Sequence, residues 1–418
     1  AYLIAKDLIV DHCFSSQIFS INRVQLLKHC LTTQGLGGIE QKLIEAAYKR
    51  LLQSNNVRHQ YIGFIFTQIY SPIAKRFNQE NTVNIQTNRI IKELSQDWIF
   101  KQSITKLVPA DREIESFSTR LRKELIFFCL RNDGIPEKLR SFTEALATQC
   151  FLNEYAYLHS PEESRIIDIV IGRLNANEDK NSSTKYLAII GCYQPLHELN
   201  LSEDAVKQYP HSNSESKTML KVQVEEPKKL NKSMNAFNLS AMQASSGSEE
   251  VKKMYEESPY PRYRYSNFTS PWMASHIPSM IRMETTVSTL KFPKEWSKGN
   301  FKPQVLIAGC GTGSQVIEAS RYKDAEITAI DISSSSLAYA EMKAKDYGLQ
   351  NVDFIQLDLL DINRVEKEYD VIECGGVLHH TKEPAKGLKA LIGKLKPGGY
   401  IKLGQYSELA RAQIVKAR

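Results

Sequence analysis

The sequence predicts an all-α helical array followed by an α/β domain built on a doubly wound, mostly parallel sheet. Three observations carry that expectation. From about residue 40 to 200 the apolar residues recur at helical spacing, so that Ile114, Phe117, Leu121, Leu125 and Phe128 share one helix face. From Gln304 onward the period changes to short apolar runs separated by amphipathic stretches, the alternation of parallel strands joined by crossover helices. Between about 203 and 248 the composition turns polar, with Ser212, Asn213, Ser214, Ser216, Lys228, Lys229 and Ser245-Ser246-Gly247-Ser248, which reads as a linker or flexible loop.

The helical part divides into segments near 38–53, 58–78, 87–107, 111–132, 137–157, 161–175 and 184–191. Short connections make consecutive helices antiparallel neighbours. Gly134-Ile135-Pro136 stops one helix, and Ser160-Pro161-Glu162-Glu163 starts another with an N-cap serine, a proline in the first turn and a glutamate that reaches back. No fixed repeat period emerges, although paired helices of this length are what solenoids are made of. These patterns place a helical domain at 1–202, the linker at 203–248, a connector or lid at 249–303 and the sheet domain at 304–418. Strands are expected at 305–308, 326–330, 352–356, 369–374 and 400–404.

A chain of 418 residues exceeds one compact core. Hydrophobic and charged contents of 42% and 24% are ordinary for globular protein, and no apolar run approaches the roughly 20 residues of a membrane span. The net charge of +7 is mild and the basic residues are interspersed with acidic ones, so no specific nucleic-acid signal is present. The seven cysteines (Cys13, Cys30, Cys129, Cys150, Cys192, Cys310, Cys374) are odd in number, widely spaced and without a C-x-x-C pair. They read as reduced, mostly buried thiols of a cytoplasmic protein. The opening at Ala1 lacks an initiator methionine and is unlike a signal peptide, so the chain reads as a fragment.

The first strand of the sheet domain runs into Ala308-Gly309-Cys310-Gly311-Thr312-Gly313. Glycines permit a tight turn there and let backbone N–H groups approach a ligand that a Cβ would block, although such loops also close purely structural turns. The second strand ends in Asp331, where a carboxylate accepts hydrogen bonds from the ribose hydroxyls of an adenosyl cofactor; an N-cap for the following helix is the alternative. Ser314 stands where a dinucleotide fingerprint carries its third glycine. The loop therefore suits S-adenosyl-L-methionine, which has no pyrophosphate, better than NAD.

The run Val305-Leu306-Ile307-Ala308-Gly309-Cys310-Gly311-Thr312-Gly313, then Ala329-Ile330-Asp331, Leu357-Asp358 and Leu395-Lys396-Pro397-Gly398-Gly399-Tyr400, resembles class I S-adenosylmethionine-dependent methyltransferases in order and spacing. More narrowly, Tyr255-Glu256-Glu257-Ser258-Pro259-Tyr260-Pro261-Arg262, Ser336-Leu337-Ala338-Tyr339-Ala340, Gly376-Val377-Leu378-His379-His380 and Gly404-Gln405-Tyr406-Ser407-Glu408-Leu409-Ala410-Arg411 resemble bacterial methyltransferases with a helical, tetratricopeptide-repeat-like N-terminal region. The likeness covers the chain from about 250 to its end, with Leu146-Ala147-x-Gln149-Cys150-Phe151-x-Asn153-Glu154-Tyr155 as its best match in the helical part.

The resemblance implies a Rossmann-like fold and a site composed as follows. Gly309, Gly311 and Gly313 line the methionine moiety and Asp331 holds the ribose, with Ala308, Cys310, Thr312 and Ile332 beside them in the cofactor site. Asp358 and Leu359 meet the adenine edge, unless Asp358 serves only as a loop cap. Cys374 and Gly375 end the fourth strand beneath the transferring methyl. Tyr255, Tyr260 and Arg262 form a lid, with Tyr406 on the acceptor side. His379 and His380 are candidate general bases, because imidazole titrates near working pH; a loop-orienting hydrogen bond is the alternative. No partner at ligand spacing makes them a metal site. Domains of this class normally finish with two further strands beyond the point corresponding to Arg418. The acceptor, small molecule or protein, is left open.

Two readings compete with methyl transfer. One is an interaction or scaffold protein whose helical array binds a protein partner beside a non-catalytic cofactor-binding domain. The other is a nicotinamide-dependent oxidoreductase, which Ser314 disfavours.

Overall fold

The computed structural model describes residues 40–176, 182–199, 209–210, 212–240, 249–257, 259, 262–287 and 289–417. Cys13, Cys30 and Tyr260 lie outside the described residues. The chain divides into a helical unit, residues 1–228 with Tyr263–Tyr265, and a sheet unit, residues 229–262 with 266–418.

In the helical unit the sequence segments appear as α1 (Gln41–Gln53), α2 (Gly63–Asn78), α3 (Arg89–Gln96), α4 (Trp98–Ile104), α5 (Arg112–Asn132), α6 (Glu137–Leu152), α7 (Pro161–Ala176) and α8 (Ser182–Ile190). The segment expected at 87–107 is broken in two at Asp97. Its Oδ1 accepts from the backbone N–H groups of Ile99 (2.8 Å) and Phe100 (3.2 Å), and its Oδ2 accepts from the Tyr70 hydroxyl (2.6 Å), so one residue ends α3 and caps α4. The cap read at Ser160 forms in both directions: Ser160 N–H donates to Glu163 (2.8 Å) and Glu163 N–H to the serine hydroxyl (3.2 Å).

An aromatic cluster fills the centre. Phe66, Tyr70, Phe100, Phe117 and Phe142 are buried, with ring centroids 4.9–5.9 Å apart in the contacts that link them. Each buried ring stabilises the fold by roughly 1.5–3 kcal/mol. At the C-terminus of α1, His59 donates from Nε2 to the Leu51 carbonyl (3.2 Å) and the Lys106 ammonium bonds the Leu52 carbonyl, satisfying groups that a helix end leaves unpaired. Burial, with Lys106 close by, lowers the His59 pKa to about 3, so the ring is neutral.

The polar stretch expected as a linker is helical in its middle. α9 (Ser214–Leu220), a π-helical turn (Lys221–Glu225) and α10 (Glu226–Ser240) follow one another without a break, with Met219, Leu220, Val222 and Val224 buried. The physical reason is one side chain inside that apolar run. Gln223 donates from Nε2 to the carbonyls of Ala147 (2.8 Å) and Gly191 (3.1 Å) and accepts at Oε1 from Tyr155 (3.2 Å) and Leu196 N–H (3.2 Å). The flanking serines and lysines hid this short apolar run in the average composition.

The sheet unit opens with α11 (Glu249–Glu257) and α12 (Ile277–Glu284). Its five strands, β1 (Gln304–Ala308), β2 (Glu326–Asp331), β3 (Val352–Gln356), β4 (Tyr369–Gly375) and β5 (Leu395–Gly404), pair in parallel in the order β3-β2-β1-β4-β5. The helices of the unit continue with α13 (Ser314–Glu318), α14 (Ser334–Asp346), α15 (Pro384–Ile392) and α16 (Glu408–Ala417). Alternate residues face the two sides: Val305, Ile307, Ile327, Ala329 and Val371 one way, Leu306, Ala308, Ile330, Ile372 and Cys374 the other. β5 starts earlier than expected, because Leu395 already pairs with Tyr369 and the Pro397-Gly398-Gly399 segment is absorbed where the register shifts. Chain order reverses between β1 and β4, so the crevice beyond the strand ends opens there, where doubly wound sheets bind ligands.

No helix among the described residues is long and apolar enough to cross a membrane.

Candidate active site

A cavity of about 440 Å³ lies beyond the carboxyl ends of the strands. Gly309, Cys310 and Gly311 line it after β1, Asp331 and Ile332 after β2, Leu357, Asp358 and Leu359 after β3, Gly375 to Val377 and His380 to Lys382 after β4, and Tyr406 after β5. Tyr255 closes one side from α11.

The glycine loop is tied to β2. The N–H groups of Gly309 and Cys310 both donate to the Ile330 carbonyl (2.9 Å each), and Gly311 N–H donates to Asp331 Oδ2 (2.8 Å). These donors, read from sequence as facing a ligand, are thus spent inside the protein. The loop contributes space instead. Gly309 has φ 69°, and a Cβ on it would fall 2.5 Å from a methyl of Val377. Gly313 (φ 88°) does not line the cavity: a Cβ there would lie 2.6 Å from the Ala340 Cβ, so this glycine lets α13 and α14 approach. Ala308 and Thr312 are buried and, like Cys374, lie outside the lining.

Asp331 Oδ1 accepts from Ser333 N–H (3.0 Å), and the cap of α14 is Ser333 itself, which accepts from Ser336 N–H (3.1 Å). Both carboxylate oxygens of Asp331 therefore hold backbone N–H groups while the residue lines the cavity. Burial raises the pKa of this carboxyl, and the nearby Glu256 carboxylate pushes the same way against the N–H bonds. Asp358 does cap the loop after β3, accepting from Leu360 N–H (2.9 Å), while also lining the cavity.

After β4 the chain makes a short 3-10 turn, Leu378–His380. His380 lines the cavity and His379 does not. The His379 ring packs on Tyr406 with centroids 3.9 Å apart, and Arg411 lies over the other participant of that pair, 3.9 Å from the Tyr406 ring. Burial, then His379 and Arg411, lower the pKa of His380, which favours its neutral form. Among the described residues no group of His, Cys, Asp and Glu is arranged to hold a metal ion. Arg262 is not in the lining.

Sequence reasoning missed Gln315, Thr381 and Lys382. Gln315 donates to the Gly375 carbonyl (3.0 Å), bridging the start of α13 to the end of β4. Its signal was available, since the second residue of the helix after a glycine loop faces the crevice.

Residues 305–399 match the family model of the methyltransferase domain. Residues 305–399 thus carry a methyltransferase domain. An uncharacterized protein of Synechococcus sp. is 45% identical over 115 residues, 27% of this chain and 28% of that protein. The ubiquinone biosynthesis O-methyltransferase of Idiomarina loihiensis is 33% identical over 114 residues, 27% of this chain and 46% of that enzyme. The chain thus spans less than half the length of these two relatives. A solved S-adenosylmethionine-dependent methyltransferase from Clostridium acetobutylicum is 25% identical, with a TM-score of 0.24, covering 27% of this chain and 46% of that one. All the cavity-lining residues described above lie in the sheet unit, and all but Tyr255 and Tyr406 lie within the matched residues 305–399.

Proposed function

We propose that this chain transfers a methyl group from S-adenosyl-L-methionine to an acceptor by direct displacement. The observation that carries the reading is Asp331, held at the end of β2 by Gly311 and Ser333 where it lines the cavity. A 1,2-diol such as a ribose edge supplies the two donors that fit it. The cofactor supplies an electrophilic methyl on a sulfonium.

The chain's own residues bind and align. Gly309 and Gly311 keep the loop free of side chains on the methionine side, and Asp358 accepts from an exocyclic amine. His380, neutral at working pH, takes a proton from an acceptor hydroxyl or amine that needs deprotonation. Tyr255 and Tyr406 wall the cavity, and an aromatic face toward a sulfonium adds about 0.5–2 kcal/mol. Alignment is the main contribution expected of the protein, since displacement at a sulfonium needs no enzymic nucleophile. The helical unit is proposed to present a protein-binding surface. The buried thiols Cys129, Cys150, Cys192, Cys310 and Cys374 support a cytoplasmic setting.

Isothermal titration of the full chain with S-adenosylmethionine and with NAD tests the reading. Saturable binding of the former alone is expected, and incubation of lysate with methyl-labelled cofactor then sorts the acceptor as small molecule or protein. Binding of neither ligand would return the interaction-module reading.

A further inference from the structure

Glu256 belongs to the run Tyr255 to Arg262 that leads into the sheet. It sits on α11, next to Tyr255. One of its carboxylate oxygens accepts from Ser334 N–H (2.8 Å); the other accepts from the Ser334 hydroxyl (2.9 Å) and from Ser335 N–H (3.0 Å). Two serine hydroxyls return bonds to the α11 backbone: Ser333 to the Tyr255 carbonyl (3.1 Å) and Ser335 to the Glu256 carbonyl (3.0 Å). Five hydrogen bonds therefore join one end of α11 to the first turn of α14. A carboxylate is the right group for that position, because the first N–H groups of a helix are unpaired and carry the positive end of its dipole. The four consecutive serines 333–336 acquire a role by this arrangement: Ser333 caps α14 from within, and the next two receive the cap from α11.

We infer that Glu256 is a positioning residue for cofactor binding, clamping α11 to the start of α14 so that Tyr255 stays in the cavity wall. The inference rests on the methyl-transfer reading for its effect on affinity, and on geometry alone for the clamp. The Glu256 charge also reaches Asp331. After burial, it acts to raise the Asp331 pKa, against the N–H groups of Ser333, Gly311 and Ile332. The other titratable groups lining the cavity are Cys310, Asp358, His380 and Lys382, with Tyr255 and Tyr406. Removing the Glu256 charge should let Asp331 ionise at lower pH.

Two measurements on the full chain test this. In E256Q, which keeps the shape and loses the charge, the S-adenosylmethionine Kd is expected to rise about tenfold at neutral pH, as befits loss of charge-assisted bonds. The pH at which affinity falls on the acid side should move lower. A wild-type affinity, or an unmoved acid midpoint, would overturn the positioning role. The second measurement needs no ligand. Lys252 and Lys253 lie on α11, and trypsin should cut there faster in E256A than in wild type, with E256Q intermediate. Equal cleavage rates would overturn the clamp even for a chain that bound no cofactor, whereas failure of wild type to bind with the expected cleavage pattern would count against methyl transfer alone.

Discussion

Gln223 in the helical unit and Asp331 in the sheet unit are both enclosed polar side chains, and they use their hydrogen-bonding capacity in opposite ways. Gln223 makes two donations and two acceptances, all to groups of its own unit. Asp331 takes backbone N–H groups on both carboxylate oxygens and borders a cavity. The first arrangement is complete and specifies packing. The second borders a cavity and is proposed to be completed by a ligand. Satisfaction of buried polar groups thus separates scaffold from site in this chain, more sharply than residue type does.

The largest expected effect breaks the scaffold. Phe100 touches the rings of Phe66, Tyr70, Phe117 and Phe142, so Phe100→Ala should cost about 3–5 kcal/mol, read from the denaturant midpoint of the helical unit. Next comes the site. Asp331→Ala should weaken S-adenosylmethionine binding about 100-fold by calorimetry, about 2.7 kcal/mol, because the ribose hydroxyls lose a charged acceptor. A third substitution falls between the two categories: Gly313→Ala puts a Cβ against Ala340 at a positive φ and should cost about 2 kcal/mol of thermal stability in the sheet unit. If the cofactor affinity of that variant fell more than its stability, Gly313 would belong to the site after all.

The smallest effect is a pH dependence whose sign differs between the units. His59 is neutral when folded, with its pKa near 3, against about 6.5 in the unfolded chain. The unfolded state therefore takes up its proton first, and stability is lost as pH falls below about 6.5, by about 1.4 kcal/mol at pH 5.5. His59→Gln should flatten that part of the stability profile. For Asp331 the folded pKa is the raised one, so this group adds stability as pH falls from its raised value toward about 3.9, while cofactor affinity drops over the same window. Stability and affinity that fell together in the sheet unit would contradict this assignment.

Much of the fold was legible in the sequence because it rests on local pattern. The helix start at Ser160, the five strands and the glycine loop follow from capping chemistry and from apolar periods of about 3.6 and 2. The residues 214–240 were not legible, because a helix whose inward face includes Gln223 looks polar until its partners at Ala147, Gly191 and Leu196 are brought near it. The break at Asp97 is similar, since Tyr70 supplies part of what makes that aspartate a cap.

The sequence by itself determined the class of cofactor and the positions of Gly309, Gly311, Asp331 and Asp358, because the order of strand, loop and carboxylate is written in consecutive residues. Only the tertiary structure decided what each does there. It directs the loop N–H groups to Ile330 and Asp331, assigns Gly313 to the approach of Ala340, separates His380 from His379 at the cavity, and brings Glu256 onto the serines of α14. The physical reason is that a glycine's or a carboxylate's role depends on which neighbour fills the remaining space and which donors remain unpaired, and those neighbours come from segments tens of residues away in the chain.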